Sequence, residues 1–567
     1  MHKCKEKLLL LKNKVINYVE EKPLAFVFSV IIFCFVLSTF IIAFKELHDR
    51  LSYELLEIAS CDANLFYTVG KMMTKGYAPY TGYYENKPPM IFILSAASYG
   101  MTGGFHLVNI ASFLCCLNLL IVPIVISIFL CRRYRLSLFP AILSTSLLFV
   151  LTLFLMFYAE HKAGSIMCEL FGSSALLDSI LCLVILSKEK NNKFYHPCII
   201  LAGLFFGIAI MFKEPFALLG IFSFLFLVEN KKDLLNKVLF PIIYGGITSL
   251  IILLASGGFV GYFTVYLPTM FSTRGNKSES MWERGLIFKR LFDNLDNFSK
   301  YLMIAVIIAI FVSSLRGLTM FVEAKPLPSF ISKVLRVFLP FVSLYIASLC
   351  VGMGGQYFWH HYAFALPFYY SLFIDASLFI GEETNKIVFY PLEKENKDNT
   401  IKQLSNPIPL LCIITSFSLL SIILTGVVKH DYNMREETML NFVSKAKNDA
   451  SYIDKVLDSL EEDNYLFIGF NSDDRPYCYT VHDPLGPCFV QDPDNYREYK
   501  AFFTDNFLNE LHKTNVIVYF SLYTSNIREE VNKYLSDNFT NNPPSQVIDI
   551  KKPDNFKYTL YYRVNTF

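Results

Sequence analysis

The sequence predicts a mainly α-helical protein that crosses a membrane many times and ends in a small α/β domain. Three observations predict this class. The 567 residues are 53% hydrophobic and only 18% charged, with a mean hydropathy of +0.40, which is too apolar for an ordinary soluble protein. Charged residues cluster between long apolar runs. After residue 428 these runs stop, and a charged helical stretch and strand-like runs follow.

The first apolar run, at 24–44, is long enough to span a bilayer. A long charged region precedes it and no small-residue cleavage site follows, so we expect a retained span and not a signal peptide. The basic flank predicts that the N-terminus lies in the cytoplasm. That flank consists of Lys3, Lys5, Lys7, Lys12, Lys14 and Lys22.

Ten further apolar runs bring the predicted number of spans to about eleven. A shorter run at 88–104 ends in glycines, and we expect it to lie in the interface or to re-enter. In that case the basic clusters at 132–135, 188–193 and 231–237 lie in the cytoplasm. If the run 88–104 instead crossed the membrane, the clusters at 132–135 and 188–193 would lie outside. The ten runs lie at about 107–130, 137–159, 169–187, 198–212, 215–229, 238–256, 300–315, 335–353, 362–380 and 408–428.

This topology leaves many charged residues outside the cytoplasm. The predicted external segments are 45–105, the turns at 158–169, 213–215 and 354–361, the loop 257–298, and the chain after 429. So many external basic groups oppose the positive-inside bias, and binding of an anionic ligand is one explanation. The net charge of only +2 indicates no nucleic-acid partner. The external polar residues are Glu160, His161, Lys162, Glu169, Lys213, Glu214, Arg274, Lys277, Arg284, Lys289, Arg290, His360 and His361.

The first external loop, 45–105, carries the most informative pattern. Asp62 is followed by a loop rich in glycine and tyrosine, including Tyr80, and then by Lys87 ahead of two prolines. One anionic and one cationic group beside a membrane suit chemistry on a hydroxyl nucleophile and a phosphate leaving group.

This loop resembles that of the GT-C glycosyltransferases, in particular the branch of the protein O-mannosyltransferases and the lipid A aminoarabinose transferases (families 39 and 83). The match comprises Asp62, the turn at 76–80 and the Lys-Pro-Pro at 87–89. Further similar features are an acid that opens a helix, a Gly-rich helix that ends in a lysine, and an aromatic-rich start of a late helix. These are Glu169 in CELFGSSALL, Lys213 in GLFFGIAIMFKEP, and His360 and His361 in HHYAFALPFYY.

The resemblance implies an inverting transfer of a sugar from a polyprenyl-phosphate donor to a hydroxyl of a lipid, a cell-surface glycan or a protein. Asp62 would act as the general base, and Lys87, with Lys213 or Arg274, would neutralise the leaving phosphate. The supporting residues would be Glu169, His161, Tyr80, His360 and His361. The family often has two adjacent acids where this chain has Asp62 alone. The resemblance therefore does not identify the sugar that is transferred.

No cofactor is expected, because the sugar-phosphate bond already stores the energy of the reaction. A divalent ion held by Asp62, Glu169, His161 and His360 is an alternative, since carboxylates and imidazoles bind such ions. No paired DxD or HxxH spacing supports it, and we therefore expect metal-independent chemistry.

Each candidate also has a structural alternative. Asp62 suits the N-cap of a helix, and Glu169 suits a first helical turn, where the helix dipole favours an acid. Lys87 and Lys213 suit the role of lysines anchored at the membrane interface. The histidine pair at 360–361 follows three aromatic residues and suits an aromatic belt.

Two other functions compete with a transferase. A carrier or flippase for a lipid-linked sugar or another anion suits the many spans, yet the chain lacks two matching halves and charges near the midplane. A polymerase or ligase of surface polysaccharide predicts a late catalytic loop, whereas the best constellation here is early. By default we place the enzyme in a bacterial inner membrane, with its site outside the cytoplasm.

The division predicted at 428/429 separates a GT-C-like membrane domain, 1–428, from an external α/β domain, 429–567. In the latter we predict a helix at 434–462, three strands in YLFIGF, NVIVYF and KYTLYYRV, and a helix before the last strand. Its only cysteines are Cys478 and Cys488, and both a disulfide and two free thiols are compatible with the sequence.

Overall fold

The structure is a computed structural model that describes most of the membrane domain and the C-terminal domain. The predicted spans at 24–44, apart from residue 30, and at 408–428 lie outside the described residues, as does the predicted boundary at 428. The described residues are 30, 61–83, 85–163, 168–186, 195–228, 231–275, 280–292, 296–322, 330–353, 359–388, 436–468, 476–485, 509–519 and 529–566.

The described part of the membrane domain is helical throughout. Its helices are α1 (Cys61–Thr74), α2 (Met90–Thr102), α3 (His106–Arg133), α4 (Leu138–Ala163), α5 (Cys168–Leu186), α6 (Tyr195–Phe212), α7 (Phe216–Leu225), α8 (Lys231–Ala255), α9 (Leu267–Gly275), α10 (Met281–Leu286), α11 (Asp296–Val322), α12 (Phe330–Gly352) and α13 (Leu366–Val388). A π-helical turn, Tyr262–Tyr266, leads into α9, and a 3-10 turn, Trp359–Ala365, leads into α13.

Seven helices within the described ranges are long and apolar enough to cross a membrane, and they coincide with seven of the predicted runs. The chain is therefore a multi-pass membrane protein. The run 137–159 forms α4, whereas 215–229 forms the 10-residue α7. Helix α2 has 13 residues, about 20 Å, and is too short to cross alone. The seven segments are His106–Arg133, Cys168–Leu186, Tyr195–Phe212, Lys231–Ala255, Lys300–Thr319, Val334–Gly352 and His361–Asn385.

Helices α5 and α13 form the centre of the bundle. The most apolar stretch of α13 is fully buried, whereas that of α8 is only 22% buried. A helix that is apolar on every side packs in the middle when its neighbours can surround it. Helix α8 instead presents Ile243, Ile247, Leu250 and Ile251 outward, as a lipid-facing helix does.

A network of four charged side chains joins α11, α12 and α13 at the end of the bundle away from the C-terminal domain. Arg316 donates hydrogen bonds to Asp375 at 2.5 Å and to Glu382 at 2.8 Å. Arg336 donates to Asp375 at 2.9 Å and to the carbonyl of Val228 at 3.0 Å. Two positive charges face two negative charges, and this pairing compensates their burial in the bundle.

The C-terminal domain contains a mixed five-stranded sheet, which includes the three predicted strands and two more. Strands β1, β2 and β3 run parallel, and β5 and β4 add antiparallel, in the order β2-β1-β3-β5-β4. The short strands β2 and β4 were not predicted, because they have too few residues for a readable alternation. The elements are α14 (Glu436–Ser459), β1 (Asn464–Ile468), β2 (Asp483–Leu485), β3 (Val516–Tyr519), α15 (Glu529–Asn538), β4 (Phe539–Thr540) and β5 (Thr559–Arg563). Cys478 is buried, Cys488 lies outside the described residues, and their pairing stays open.

Helix α1 packs directly against the C-terminal domain. Phe66 and Tyr67 of α1 share one hydrophobic core with Tyr465 and Val516 of the sheet. Lys71 is only 2% exposed, and its ammonium donates hydrogen bonds to the carbonyls of residues 480, 481 and 482 at 2.9, 3.1 and 3.4 Å. The C-terminal domain is thus attached to the helix that carries Asp62.

Burial lowers the pKa of Lys71, and the nearby charge of Lys75 acts in the same direction, while Asp483, 3.6 Å away, opposes both. Thr480 is buried, so its carbonyl has little access to water in place of the bond that Lys71 supplies, whereas the bonds to residues 481 and 482 are only partly buried. A methionine there would fit the space but leave these carbonyls without that donor.

Replacing Lys71 by methionine is expected to loosen the C-terminal domain. The loss should be about 1–3 kcal/mol in free energy of unfolding, as for unsatisfied buried polar groups. Lys75, one turn further and exposed, also pairs with Asp483, so Lys75→Met is a matched control that should cost about 1 kcal/mol or less. Thermal unfolding and limited proteolysis between the domains measure both. Equal effects of the two variants would contradict the role given to Lys71.

Candidate active site

Asp62 lies in the first turn of α1, which begins at Cys61. Its side chain lies outside the described part of the structure, so the role of base is not tested. Because its backbone is already helical, Asp62 is not the N-cap of a helix that begins at Ala63. The backbone alone places it at one end of a helix whose Leu65, Phe66 and Val69 are buried.

The turn after α1 is held by Tyr80. This residue has a positive φ of 69°, and its fully buried side chain donates a hydrogen bond to the carbonyl of Lys87 at 2.8 Å. A non-glycine residue in this conformation is maintained by its surroundings. Tyr80 therefore closes the loop and sets the position of Lys87.

Lys87 lies directly before the two prolines that start α2, with Pro89 at the N-cap. Proline is favoured at this end of a helix because it needs no amide donor there. The ammonium of Lys87 donates to the side-chain oxygen of Asn86 at 2.8 Å and lies 3.9 Å from Glu85. Its side chain is 12% exposed, so the cation is largely withdrawn from bulk water.

Glu169 and Lys213, the two other strongest candidates, form a buried ion pair. Glu169 lies in the first turn of α5 and is 1% exposed, and Lys213 follows α6 directly. The Lys213 ammonium donates to Oε1 of Glu169 and lies 5.1 Å from the ring centre of Phe364. Pro215 prevents α6 from continuing, which leaves Lys213 in a short connection facing α5.

Electrostatics links Lys213 to Lys87. Burial lowers the pKa of Lys213, Glu169 opposes this shift, and the positive charge of Lys87 lowers the pKa further. Little water screens such a charge in a protein interior, so the two lysines repel each other. Met90, three residues after Lys87, packs against the apolar cluster that contains Met211, two residues before Lys213, so the structure brings the Lys87 loop towards the Glu169–Lys213 pair.

The aromatic start of α13 closes the same region. His361 is buried, and its ring lies 6.0 Å from the ring of Phe364, the residue that also faces Lys213. His361 is therefore near the ion pair, and its supporting role stays a prediction. The side chains of His360, His161 and Arg274 lie outside the described part, and their predicted roles stay predictions.

Three neighbours of the predicted residues were not proposed as site residues from the sequence. Glu85 lies beside Lys87, Phe364 faces Lys213, and Glu214 accepts hydrogen bonds from two tyrosines. The sequence signal for Glu85 and Glu214 was their proximity to a candidate lysine, but proximity along the chain does not say where a side chain points. No feature of the sequence distinguishes Phe364 as a site residue among the 54 phenylalanines.

No group of three His, Cys, Asp or Glu side chains suited to a metal ion occurs among the residues that the structure describes. Of the four proposed ligands, only Glu169 has a described side chain, and it pairs with Lys213. Metal-independent chemistry therefore stays a prediction, with a divalent ion as the alternative.

The described site combines two lysines and two acids in a water-poor region beside the C-terminal domain. Phe171 and Phe212, which stack at 5.2 Å next to the ion pair, belong to the same hydrophobic core as α1 and the sheet. Each lysine lies beside an acid, Lys87 near Glu85 and Lys213 with Glu169, so the four charges balance. Little water screens them, so an anion in this region would interact strongly with the lysines and would be opposed by the acids.

Comparison with known proteins identifies the fold. No protein-family model and no curated protein sequence matches the chain. The crystal structure of ArnT from Cupriavidus metallidurans bound to undecaprenyl phosphate is similar over 95% of this chain and 98% of that chain, with 10% identity and a TM-score of 0.51. The fold is ArnT-like. The fold expected from the resemblance to the aminoarabinose transferases is thus confirmed.

Two further structures are similar to this ArnT-like fold. ArnT from the same organism in the apo state matches with 12% identity, 88% of this chain and 94% of that chain, and a TM-score of 0.48. The Archaeoglobus fulgidus oligosaccharyltransferase in complex with Zn and sulfate matches with 13% identity, 82% of this chain and 64% of that chain, and a TM-score of 0.42.

Proposed function

We propose that the protein is an inverting glycosyltransferase that moves a sugar from a polyprenyl-phosphate donor to a hydroxyl acceptor. The observation that carries the proposal is the buried Glu169–Lys213 pair with Lys87 near it, in an ArnT-like fold. Both the cations and the membrane setting suit a lipid phosphate.

The lipid class of the donor is supported by the ArnT structure, which binds undecaprenyl phosphate. A polyprenyl phosphate holds its charge at the level of the lipid headgroups and its tail among the acyl chains. Lysines near a membrane surface and an apolar bundle accommodate the two parts. The sugar and the acceptor, whether lipid, cell-surface glycan or protein, are left open by these features.

In the proposed step, Asp62 accepts the proton of the acceptor hydroxyl as its oxygen attacks the anomeric carbon. The bond between this carbon and the phosphate oxygen breaks, and the electron pair leaves with the polyprenyl phosphate. Attack on the face opposite the phosphate inverts the anomeric configuration. No nucleotide and no redox partner is needed.

Lys87 and Lys213 have the task of stabilising the charge that grows on the leaving phosphate, with Arg274 as a third cation. Fixed cations in a water-poor site stabilise such charge without reorganisation during the reaction. Glu169 holds Lys213 charged and in place, and we expect chemistry without a metal ion.

We further propose that the site and the C-terminal domain face away from the cytoplasm of a bacterial inner membrane. The lysine-rich N-terminal region and the basic clusters at 132–135 and 231–237 support this orientation under the positive-inside rule.

The proposal is tested with the purified protein in lipid vesicles. The donor is undecaprenyl phosphate that carries a labelled sugar. When an acceptor lipid or glycan extract is added, the protein should move the label to the acceptor and release undecaprenyl phosphate. The protein should not transfer the label from a nucleotide sugar that carries the same labelled sugar. Movement of the intact labelled lipid across the bilayer, with no cleavage, would instead show a flippase.

A further inference from the structure

Glu214 joins two parts of the candidate site that are distant in the sequence. It lies between Lys213 and Pro215, and Oε1 of its carboxylate accepts a hydrogen bond from the hydroxyl of Tyr266 at 2.6 Å. The hydroxyl of Tyr262 donates to the same oxygen at 3.3 Å. Both tyrosines belong to the π-helical turn Tyr262–Tyr266 and are buried. Hydrogen bonds to a carboxylate are stronger than neutral ones, so this contact holds the turn firmly.

The two tyrosines in turn hold Tyr80. The ring centre of Tyr80 lies 5.0 Å from that of Tyr266 and 5.9 Å from that of Tyr262, while the rings of Tyr262 and Tyr266 stack at 4.9 Å. Because the Tyr80 hydroxyl donates to the carbonyl of Lys87, an unbroken series of contacts runs from Glu214 to the Lys87 backbone.

The backbone of the loop that carries Tyr80 lies close to the backbone just before the two tyrosines. A side chain at Gly261 would lie 2.9 Å from the carbonyl oxygen of Pro79 and 2.9 Å from Cβ of Tyr80, so only glycine fits there. A side chain at Gly258 would lie 3.1 Å from Cβ of Pro79. The loop that carries Lys87 is therefore seated on the segment that contains the two tyrosines.

The same segment leads to the third candidate cation. Helix α9 follows the π-helical turn directly and contains Arg274 in its last turn. Glu214, the chain neighbour of Lys213, thus contacts the turn that leads into the Arg274 helix, and the two tyrosines of that turn contact Tyr80 of the Lys87 loop. A π-helical turn within a helix is often found at functional sites.

We propose that Glu214 is a positioning residue for the donor phosphate, which holds the segments carrying Lys87, Lys213 and Arg274 in one arrangement. The inference rests on the proposed function and names a part of its site. Glu214 acts through Tyr262 and Tyr266 and takes no proton in the reaction. Its loss would widen the spacing of the cations, and misplaced groups lose much of their effect on a ligand.

The variants Glu214→Gln and Tyr266→Phe test this role. Glu214→Gln weakens the contact by removing the charge of the acceptor, and Tyr266→Phe removes the donating hydroxyl, both with little change of volume. We expect the KM for the donor and the Kd for undecaprenyl phosphate alone to rise roughly tenfold, with the KM for the acceptor unchanged. Tyr262→Phe should have a smaller effect, because its hydrogen bond is longer.

The matched control is Tyr370→Phe. Tyr370 is a buried tyrosine of α13 whose hydroxyl donates to the carbonyl of Leu119 at 3.1 Å, away from the site. Its loss should lower the unfolding temperature without changing donor affinity. If Glu214→Gln and Tyr266→Phe also affect only the unfolding temperature, Glu214 is merely structural and the proposal is overturned.

Hydrogen exchange separates this inference from the proposed function. Amides of 76–89 and 262–275 should exchange faster in Glu214→Gln than in the wild type and in Tyr370→Phe. Unchanged exchange would overturn the positioning role, whatever the activity is. If exchange is faster in Glu214→Gln but the wild-type protein binds no undecaprenyl phosphate, the contacts of Glu214 stand as described and the proposed class of donor is rejected instead.

Discussion

Replacing Lys213 by methionine is expected to stop transfer and to destabilise the protein. The variant removes a cation that we place at the leaving phosphate, and the loss of one such group costs about 10²–10³ in rate. It also leaves Glu169 buried without its partner, which costs about 3–5 kcal/mol in free energy of unfolding. Release of undecaprenyl phosphate and thermal unfolding measure the two effects.

A double variant separates these two effects. In Glu169→Gln/Lys213→Met no charge is left alone, so stability should largely return while transfer stays absent. Lys237→Met is the matched control, because Lys237 is also buried and paired with an acid, Asp233 at 3.1 Å, but on α8. If Lys237→Met reduces the transfer rate as strongly as Lys213→Met, then Lys213 has no special role in the site.

Replacing Asp62 by asparagine is expected to reduce the transfer rate by about 10²–10⁴, the usual contribution of a general base. Membrane insertion and folding should be unchanged, because asparagine has nearly the same size as aspartate and the exchange is at the end of a helix. Binding of undecaprenyl phosphate should persist, since Lys87 and Lys213 remain. The measurements are the initial rate of transfer and the affinity for undecaprenyl phosphate.

Asp178→Asn is the matched control for the Asp62 variant. Asp178 lies inside α5 and accepts a hydrogen bond from Asn118 at 2.9 Å, so the same exchange there removes one charge away from α1. We expect it to keep most of the transfer activity. A carrier without chemistry would lose little activity in either variant, and full activity of the Asp62 variant would refute the assigned base.

Much of the fold was predictable from local patterns in the chain. The seven apolar helices coincide with predicted runs, because a span is recognised by length and apolarity alone. The strands β1, β3 and β5 were likewise predicted from apolar runs of suitable length. The 10-residue α7 is shorter than its run of 215–229, since a run of apolar residues does not show where the helix within it ends.

The site was predictable only in part. The acid, the lysines and Tyr80 were proposed from family-like motifs, and the structure places Lys87, Glu169, Lys213 and His361 near one another. The pairing of Glu169 with Lys213 required two helix ends to meet, and no local pattern contains that information. The same holds for Lys71, whose carbonyl partners lie in the C-terminal domain.

By itself, the sequence determined the class of protein, the course of most spans and the α/β character of the C-terminal domain, and it supplied the hypothesis of phosphate chemistry. These properties follow from hydropathy, periodicity and short motifs, which act over a few turns of chain. Only the tertiary structure decided that the C-terminal domain attaches to α1 and that Glu214 connects to Tyr80 through Tyr262 and Tyr266. Those contacts depend on how helices pack, and packing is set jointly by residues that are distant along the chain.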